Sequence, residues 1–480
     1  MARAQGPLYP LPTARFGVDM VKKFGLITDY DVASLHLAWY SDWGTSLNPL
    51  RPGGIEYAQL IGVRNGVISP PLDQLGPMID ANPGYLWIIG NEPECIWQDN
   101  CTPEQYAAVY HQLYTFIKGR DPTAQVAIGG VVQPTPLRLK WLDRVLDYYQ
   151  ATYGEPMPVD VWNIHNMILQ ELKGSWGCEI PRGLTETSGR LYTVQDNDNI
   201  NYFVQHIVDF RTWMRDRGQR DKPLFITEYG VLMPVQYGFT PERVNAYMDA
   251  TFDYLMTARD PDLGYPADGN RLVQRWLWNS LNDQPWDPST GEGFNGALFD
   301  YRYPVYPGVI TPMGINFREY TEALVAGQVC LTGGISLKGR AIKPDPSYAI
   351  TVTVTLYPVG GGDPDVRTAR TDATGHFGLC HLSPGTYDIV AKGYNTLTKR
   401  VNGVQVTDDT PIIEFGLLTP GDANDDNCIG ILDYSILAAA YGKCVGTPDF
   451  DARADFSGDR CIGILDYSML ATHYSECGVP

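Results

Sequence analysis

Two apolar stretches of this chain end in carboxylates. Residues 85–97 read YLWIIGNEPECIW, apolar from Tyr85 to Ile89 and then turning to Gly90, Asn91, Glu92 and Pro93. Residues 224–232 read LFITEYGVL and put Glu228 at the end of a second apolar run. Two carboxyl groups that converge on one bond can divide a displacement between them. One, protonated, donates to the leaving oxygen; the other, ionised, attacks carbon; the first then acts as base on incoming water. Such a pair could flank a glycosidic bond. As the acid, Glu92 needs a pKa above that of a free glutamate, raised by burial and by the nearby negative charge. Carboxyl groups about 5–5.5 Å apart would give retention of configuration.

A scaffold must bring these two distant strand ends together. Up to residue 326, strand-like and helix-like stretches alternate. The strand candidates are 15–20, 35–43, 56–63, 85–94, 125–132, 160–167, 224–232 and 275–283. The clearest helix, 102–119, opens with Thr102 as N-cap, Pro103 in first position and Gln105 completing a capping box. Its Tyr106, Val109, Tyr110, Leu113, Tyr114 and Ile117 recur at helical spacing. Other helices are expected over 201–218 and from Thr240-Pro241-Glu242 onward. Near-continuously apolar strands alternating with helices predict a parallel sheet covered by helices, and the count of eight predicts a (β/α)8 barrel over residues 1–326. Barrels of this kind place their chemistry at the C-terminal ends of strands, where Glu92 (strand four) and Glu228 (strand seven) both fall. No glycine-rich phosphate loop follows the first strand, which argues against dinucleotide binding.

Residues 333–416 read differently. Short alternating strands at 350–358, 375–382 and 385–393, separated by Gly360-Gly361-Gly362 and Ser383-Pro384-Gly385, predict a small all-β sandwich. Residues 418–480 contain a duplication. DANDDNCIGILDYSILAAAYGKC begins at Asp422, and DFSGDRCIGILDYSMLATHYSEC begins at Asp455, 33 residues later. Oxygen-bearing side chains fall at loop positions one, three, five and twelve: Asp422, Asn424, Asp426 and Asp433, then Asp455, Ser457, Asp459 and Asp466. Position seven, Cys428 or Cys461, would add a backbone carbonyl. Hard cations take about six to eight oxygens, so each loop predicts one structural calcium ion; catalysis calls for no cofactor.

The chain has nine cysteines, and four of them repeat with the loops. A helix of about 12 residues, roughly 18 Å of rise, separates the two within each copy, too far for one disulfide. Antiparallel helices would instead join Cys428 to Cys477 and Cys444 to Cys461. Cys95 with Cys101 and Cys330 with Cys380 are further pairings, which leave Cys178 over. A net charge of −19 disfavours nucleic acid and anionic lipid as partners. No run of about 18 apolar residues spans a membrane. The N-terminal MARAQGPLYPLPTARFG has no apolar signal core. Cysteines and calcium-type loops nonetheless point to an extracellular protein whose signal has been removed and a start Met supplied.

Three resemblances sharpen these expectations. Asn91-Glu92-Pro93 with Glu228 resembles clan A glycoside hydrolases, which implies Glu92 as acid/base and Glu228 as nucleophile. WNIHNM then matches the strand-six position with His165 in the site, and WLWNSLND the strand-eight position with Trp278 beneath the sugar. Asn91 is expected to bond the sugar 2-hydroxyl, and Tyr229 is placed with these as substrate-binding. The family's usual Tyr after the strand-six His is Asn166-Met167 here. TDATGHFGLCHLSPGTYDIVAKG resembles carboxypeptidase-regulatory-like modules. The duplicated loops, each followed by one helix and ending in Asp, resemble a type I dockerin. That implies a cohesin-type scaffold as partner, with intramolecular docking on the β-sandwich as the alternative. Ile431-Leu432 and Ile464-Leu465 stand where dockerins select a cohesin. The combined reading is a secreted retaining hydrolase of a β-linked plant or microbial polysaccharide. Its rivals are a carbohydrate-binding or assembly protein without turnover, and a transglycosylase.

Overall fold

The computed structural model describes residues 9, 11–325, 329–340, 342–343, 345–348, 350–371, 374–407 and 410–479. They form two compact units, one built from 1–80 and 84–325, the other from 81–83 and 326–480.

The first unit is a ring of parallel strands: β1 (Phe16–Asp19), β2 (Trp39–Ser41), β3 (Glu56–Tyr57), β4 (Gln59–Ile61), β5 (Leu86–Ile89), β6 (Gln125–Ile128), β7 (Trp162–His165), β8 (Leu224–Tyr229) and β9 (Arg275–Trp278). One sheet runs β3-β2-β1-β9-β8-β7 and the other β4-β5-β6. β3 and β4 are one strand interrupted at Ala58, and parallel bridges Ala127–Val161 and Val131–Ile164 join β6 to β7. The ring therefore closes with eight strand positions. Six helices follow the later strands: α1 (Leu72–Ala81), α2 (Pro103–Arg120), α3 (Pro136–Tyr153), α4 (Ile200–Asp216), α5 (Pro241–Thr257) and α6 (Pro312–Val325). Thr102 caps α2 in a capping box with Gln105, as its sequence predicts. The regular alternation fails after β1 and β2, where 3-10 turns replace helices among the described residues. After β2 the reason is legible: Gly44, Pro49, Pro52, Gly53 and Gly54 crowd a short connection, and these residues break helices.

Strand residues alternate between two apolar layers. Trp39, Leu60, Ile88, Phe225 and Leu277 fill the barrel interior. Phe16, Trp87, Trp162, Ile226, Trp276 and Trp278 face the helices. Gly17 belongs to the narrow inner layer, where a Cβ would collide with the Trp39 carbonyl oxygen.

In the second unit, β10 (Val329–Leu337), β11 (Thr351–Pro358), β12 (Asp365–Arg370), β13 (His376–Leu382), β14 (Gly385–Gly393), β15 (Lys399–Val406) and β16 (Ile413–Leu418) form sheets β13-β10-β16 and β12-β11-β14-β15. Val352, Val354 and Leu356 alternate inward from β11 and share a core with Ile335, Phe377 and Phe415 of the other sheet. The duplicated segment contributes α7 (Ile431–Ala440) and α8 (Ile464–Thr472). Disulfides Cys428–Cys477 and Cys444–Cys461 tie the copies together in the predicted crosswise sense. The Cys95–Cys101 pairing is overturned: both thiols are free and lie in different clusters. Cys101 donates to the Val63 carbonyl at 3.1 Å, while Cys95 packs with Val132, Met167 and Cys178. The Cys330–Cys380 side chains lie outside the described residues. No described helix is long and apolar enough to cross a membrane.

The duplicated segment packs on the sandwich through a cation at each loop. Lys392 of β14 reaches Asp422 Oδ2 at 2.7 Å and Asp425 Oδ1 at 2.5 Å. At the equivalent position of the second copy stands Gly458, and a Cβ there would coincide with Arg340 Nη1. Arg340, beside Asp455, thus takes in the second copy the place that Lys392 takes in the first. Gly458 also has φ +70°, a left-handed conformation that L side chains resist. Gly458→Ala should therefore destabilise the second unit by about 1–3 kcal/mol. Gly463→Ala, which meets no atom within 4 Å at φ −146°, should change far less. Urea unfolding of the two variants checks the difference.

Candidate active site

Glu92 and Glu228 come from strand ends on opposite arcs of the ring. Glu92 lies three residues beyond β5, at φ +44°, after Gly90 at φ +91°. That left-handed turn swings the carboxyl inward; holding a glutamate there costs about 1–3 kcal/mol. The Asn91 N–H donates to Asp99 Oδ2 at 2.7 Å, which pins the turn. Glu228 lies on β8, just past a register shift that β8 makes against both β7 and β9. His165, at the end of β7, stands between them. Its Nδ1 is 3.0 Å from Glu92 Oε1 and 3.7 Å from Glu228 Oε2. One oxygen of each glutamate and a ring nitrogen of His165 all lie within 4.8 Å of one another. Gly130 makes room for the imidazole, because a Cβ there would collide with His165 Cδ2.

Burial sets the electrostatics. It pushes both glutamates up to about 7, and it pushes His165 down, so the imidazole is neutral at pH 7. The donors are divided unequally. Glu228 Oε2 accepts from Trp43 Nε1 at 3.0 Å, and Oε1 from Asn279 Nδ2 at 3.3 Å. These bonds favour its ionised form. Glu92 has His165 and the Cys95 thiol, and no such amide or indole donor among the described residues. The nearest cation to Glu92, Arg138, is buried and held by Glu94 at 2.8 Å and by Glu171. The Trp43 and Asn279 donors bias the pair toward an anion on Glu228, while the Arg138 charge acts the other way, on Glu92. Asp19, at the end of β1, is fully buried with neither oxygen hydrogen-bonded. Burial and the proximity of Glu228 and Asp42 push its pKa well up, which favours its neutral form.

The remaining expected residues divide. Asn91 is half-buried beside Glu92, and its carboxamide oxygen has no partner. Trp278 is not a floor for a ligand. It is wholly buried on the helix side of β9, with Nε1 bonded to the Gly296 carbonyl at 2.8 Å and its ring against Phe252 of α5. Tyr229 follows it into that layer, edge-on to Trp278 and packed on Phe203. Both are corrections with one cause: the residue next to an inward-facing strand residue faces out. Asn279 and Trp43 join the site with no motif to mark them. Position at a strand end was the available signal for both.

The pair and His165 together could also accept a divalent cation, since they offer two carboxylate oxygens and one nitrogen within 4.8 Å. Trp43 and Asn279 each take one lone-pair site of Glu228, one on each oxygen.

In the second unit the loop carboxylates turn inward. Asp466 Oδ1 accepts from Ser457 N at 2.8 Å and Oδ2 from Gly463 N at 2.8 Å. Asp433 repeats this with Ala423 N and Gly430 N, each at 2.7 Å. Asp455, Asp459 and Asp466 each bring an oxygen within 4.8 Å of the others. In the first loop Asp422, Asn424 and Asp426 are linked by short bonds, and Lys392 shares Asp422. The sulfurs of Cys428 and Cys461 are in disulfides, so only their carbonyls could serve an ion.

No protein-family profile and no curated protein matches the chain. Solved structures do resemble parts of it. A GH128 (subgroup II) endo-β-1,3-glucanase from Pseudomonas viridiflava is 17% identical, with 64% of this chain and 97% of that one covered, at TM-score 0.41. A GH128 (subgroup I) endo-β-1,3-glucanase from Amycolatopsis mediterranei, solved with laminarihexaose, is 16% identical over 64% and 99%, at TM-score 0.41. A type II cohesin–X-dockerin complex from Acetivibrio cellulolyticus includes a chain 22% identical over 31% and 97%, at TM-score 0.26.

Trp43→Phe removes the donor to Glu228 and should raise its pKa. The acidic limb of the pH–rate profile should move to higher pH, and kcat should fall about 10- to 100-fold, roughly 1.4–2.7 kcal/mol. An unmoved acidic limb would show that Trp43 does not hold the anion.

Proposed function

We propose that the first unit is a retaining glycoside hydrolase acting on a β-linked glucan. The observation that carries this is the buried carboxylate pair, with oxygens within 4.8 Å and hydrogen-bond donors on one partner only. Oxygens that close suit direct attack, for which the two carboxyl groups stand about 5–5.5 Å apart. Glu228 would attack the anomeric carbon while Glu92 protonates the leaving oxygen. Glu92 would then take a proton from water as the glycosyl ester is hydrolysed. His165, neutral, orients both groups, and Asn91 stands beside Glu92 with its carboxamide oxygen buried and without a partner. The first polymer to try is a β-1,3-glucan, the substrate named for the barrel neighbours. Activity should fall as pH rises through the Glu92 value of about 7, where the acid loses its proton.

The decisive experiment is intact-mass analysis after exposure to 2-deoxy-2-fluoro glycosides. A glycosyl adduct mapped to Glu228, absent from Glu228→Gln, is the expected result. Hydrolysis without any adduct and with inverted product would overturn the retaining mechanism. Oligosaccharide binding with no turnover on any β-glucan would favour a carbohydrate-binding protein, and EDTA-sensitive turnover would favour a metal at the triad.

For the second unit we propose calcium in the duplicated loops and a cohesin-type partner. Asp455, Ser457, Asp459, Asp466 and the Cys461 carbonyl would hold one ion. Asp422, Asn424, Asp426, Asp433 and the Cys428 carbonyl would hold the other, which shares Asp422 with Lys392. The ions would lock the loops that start α7 and α8. There Ile431, Leu432, Ile464 and Leu465 are each more than half exposed, an apolar face suited to a partner. Extracellular location accords with the two disulfides. Calcium should raise the melting temperature of the full chain, and Asp459→Ala with Asp466→Ala should remove most of that rise. An equal rise in the double variant would place the ion elsewhere.

A further inference from the structure

We propose that the barrel carries a second glycan-binding site, separate from the carboxylate pair; the proposal rests on the glycan reading above. A cavity of about 450 Å³ opens between the start of α3 and the first turns of α4. Those helices follow β6 and β7, so it lies towards the barrel end that carries Glu92 and Glu228. Its volume is that of a small-ligand site.

The lining is that of a site for a neutral, hydroxyl-rich ligand. Tyr192 and Tyr202 form an aromatic wedge, with ring centroids 4.7 Å apart and tilted by 41°. Such rings accept the C–H face of a pyranose. Around them stand Arg190, Asn201, Gln205 and Asp209. The Arg190 guanidinium, the Asn201 carboxamide and the Tyr202 hydroxyl make no hydrogen bond or ion pair among the described residues. Gln205 Nε2 donates to Asp209 Oδ1 at 2.7 Å, an amide–carboxylate edge of the kind that grips vicinal hydroxyls. One cation and one anion cancel, so the cavity favours neither a phosphate nor a metal.

The cavity wall is tied to the reaction centre. Tyr192 Oη is 2.9 Å from His206 Nε2, and His206 Nδ1 is 2.8 Å from Asn166 Oδ1. His206 is buried, which pushes its pKa down to about 3 and keeps the ring neutral. Asn166 follows His165 in the chain and donates its N–H to the Glu228 carbonyl at 3.0 Å. A ring seated on Tyr202, which packs on the buried Tyr192, therefore bears on a wall fixed to β7 and β8, the strands that hold His165 and Glu228.

The test uses the full chain with Glu228→Gln to block turnover. It is titrated calorimetrically with laminaritriose, cellotriose, mannotriose and xylotriose and assayed for adsorption to insoluble β-1,3-glucan. The expected result is two trisaccharides per chain, reduced to one by Tyr202→Ala, with adsorption weakened at least fivefold and the melting temperature unchanged. Asn201→Ala, farther from any core contact, should weaken adsorption in the same direction. Stoichiometry and adsorption that neither substitution alters overturn the site. The two proposals fail separately. Glucan cut by the native chain with stoichiometry insensitive to Tyr202 removes only the second site. Stoichiometry that falls while no glycan is cut removes only the proposed activity.

Discussion

The burial of two carboxyl groups side by side is the constraint on which the rest of the first unit depends. A second negative charge within 4.8 Å of the first, out of water, is costly enough that the pair keeps a proton near neutrality. The surroundings must then decide which glutamate keeps it. Trp43 and Asn279 stabilise charge on Glu228 only. On the other side, a free arginine would favour the ionised form of Glu92. Arg138 is close enough to lower the Glu92 pKa, yet it is bound to Glu94 and Glu171, so its charge is already matched. The neutral His165 can stand between the two glutamates without settling the proton on either.

This arrangement depends on backbone that a looser fold would not hold. Glu92 sits in left-handed conformation, and Asp99 fixes the preceding amide. Gly130 leaves the imidazole its only space. Each feature sits at a strand end, where the closed ring limits movement of its neighbours. The inner layer is made of Trp39, Leu60, Ile88, Phe225 and Leu277. Filled in this way, the barrel works as a rigid frame that can bear the strain and the desolvation at its rim.

Strand positions, the capped helix at Thr102 and the crosswise disulfides were legible because each rests on short-range pattern or on an exact repeat. That Glu92, Glu228 and His165 meet was legible because all three fall at the ends of strands expected to close into one ring. Side-chain direction was less so. Trp278 and Tyr229 sit one residue away from inward-facing positions, and aromatic type alone does not say which layer receives the ring. Trp43, Asn279, Arg138, Glu94 and Glu171 were hidden because their partners are distant in sequence. Arg138 and Glu171 belong to a helix and a loop that meet only once the barrel has closed. The missing helices after β1 and β2 follow from local composition, which the count of eight strands overrode.

The second unit shows how a symmetric repeat adapts to an asymmetric support. The two copies share CIGILDYS, and their helices begin identically at Ile431 and Ile464. Their loops differ at positions two, three and six, and also at position four, where one copy has Asp425 and the other Gly458. That is where the sandwich reaches them, with Lys392 from one strand and Arg340 from another segment. A lysine ammonium is met by an added carboxylate; a guanidinium whose Nη1 stands 0.6 Å from where a Cβ would lie is met by removing the side chain altogether. The Ile-Leu pairs that begin the helices stay identical and exposed. The copies thus answer two different cations at position four while each keeps the same Ile-Leu pair at the start of its helix.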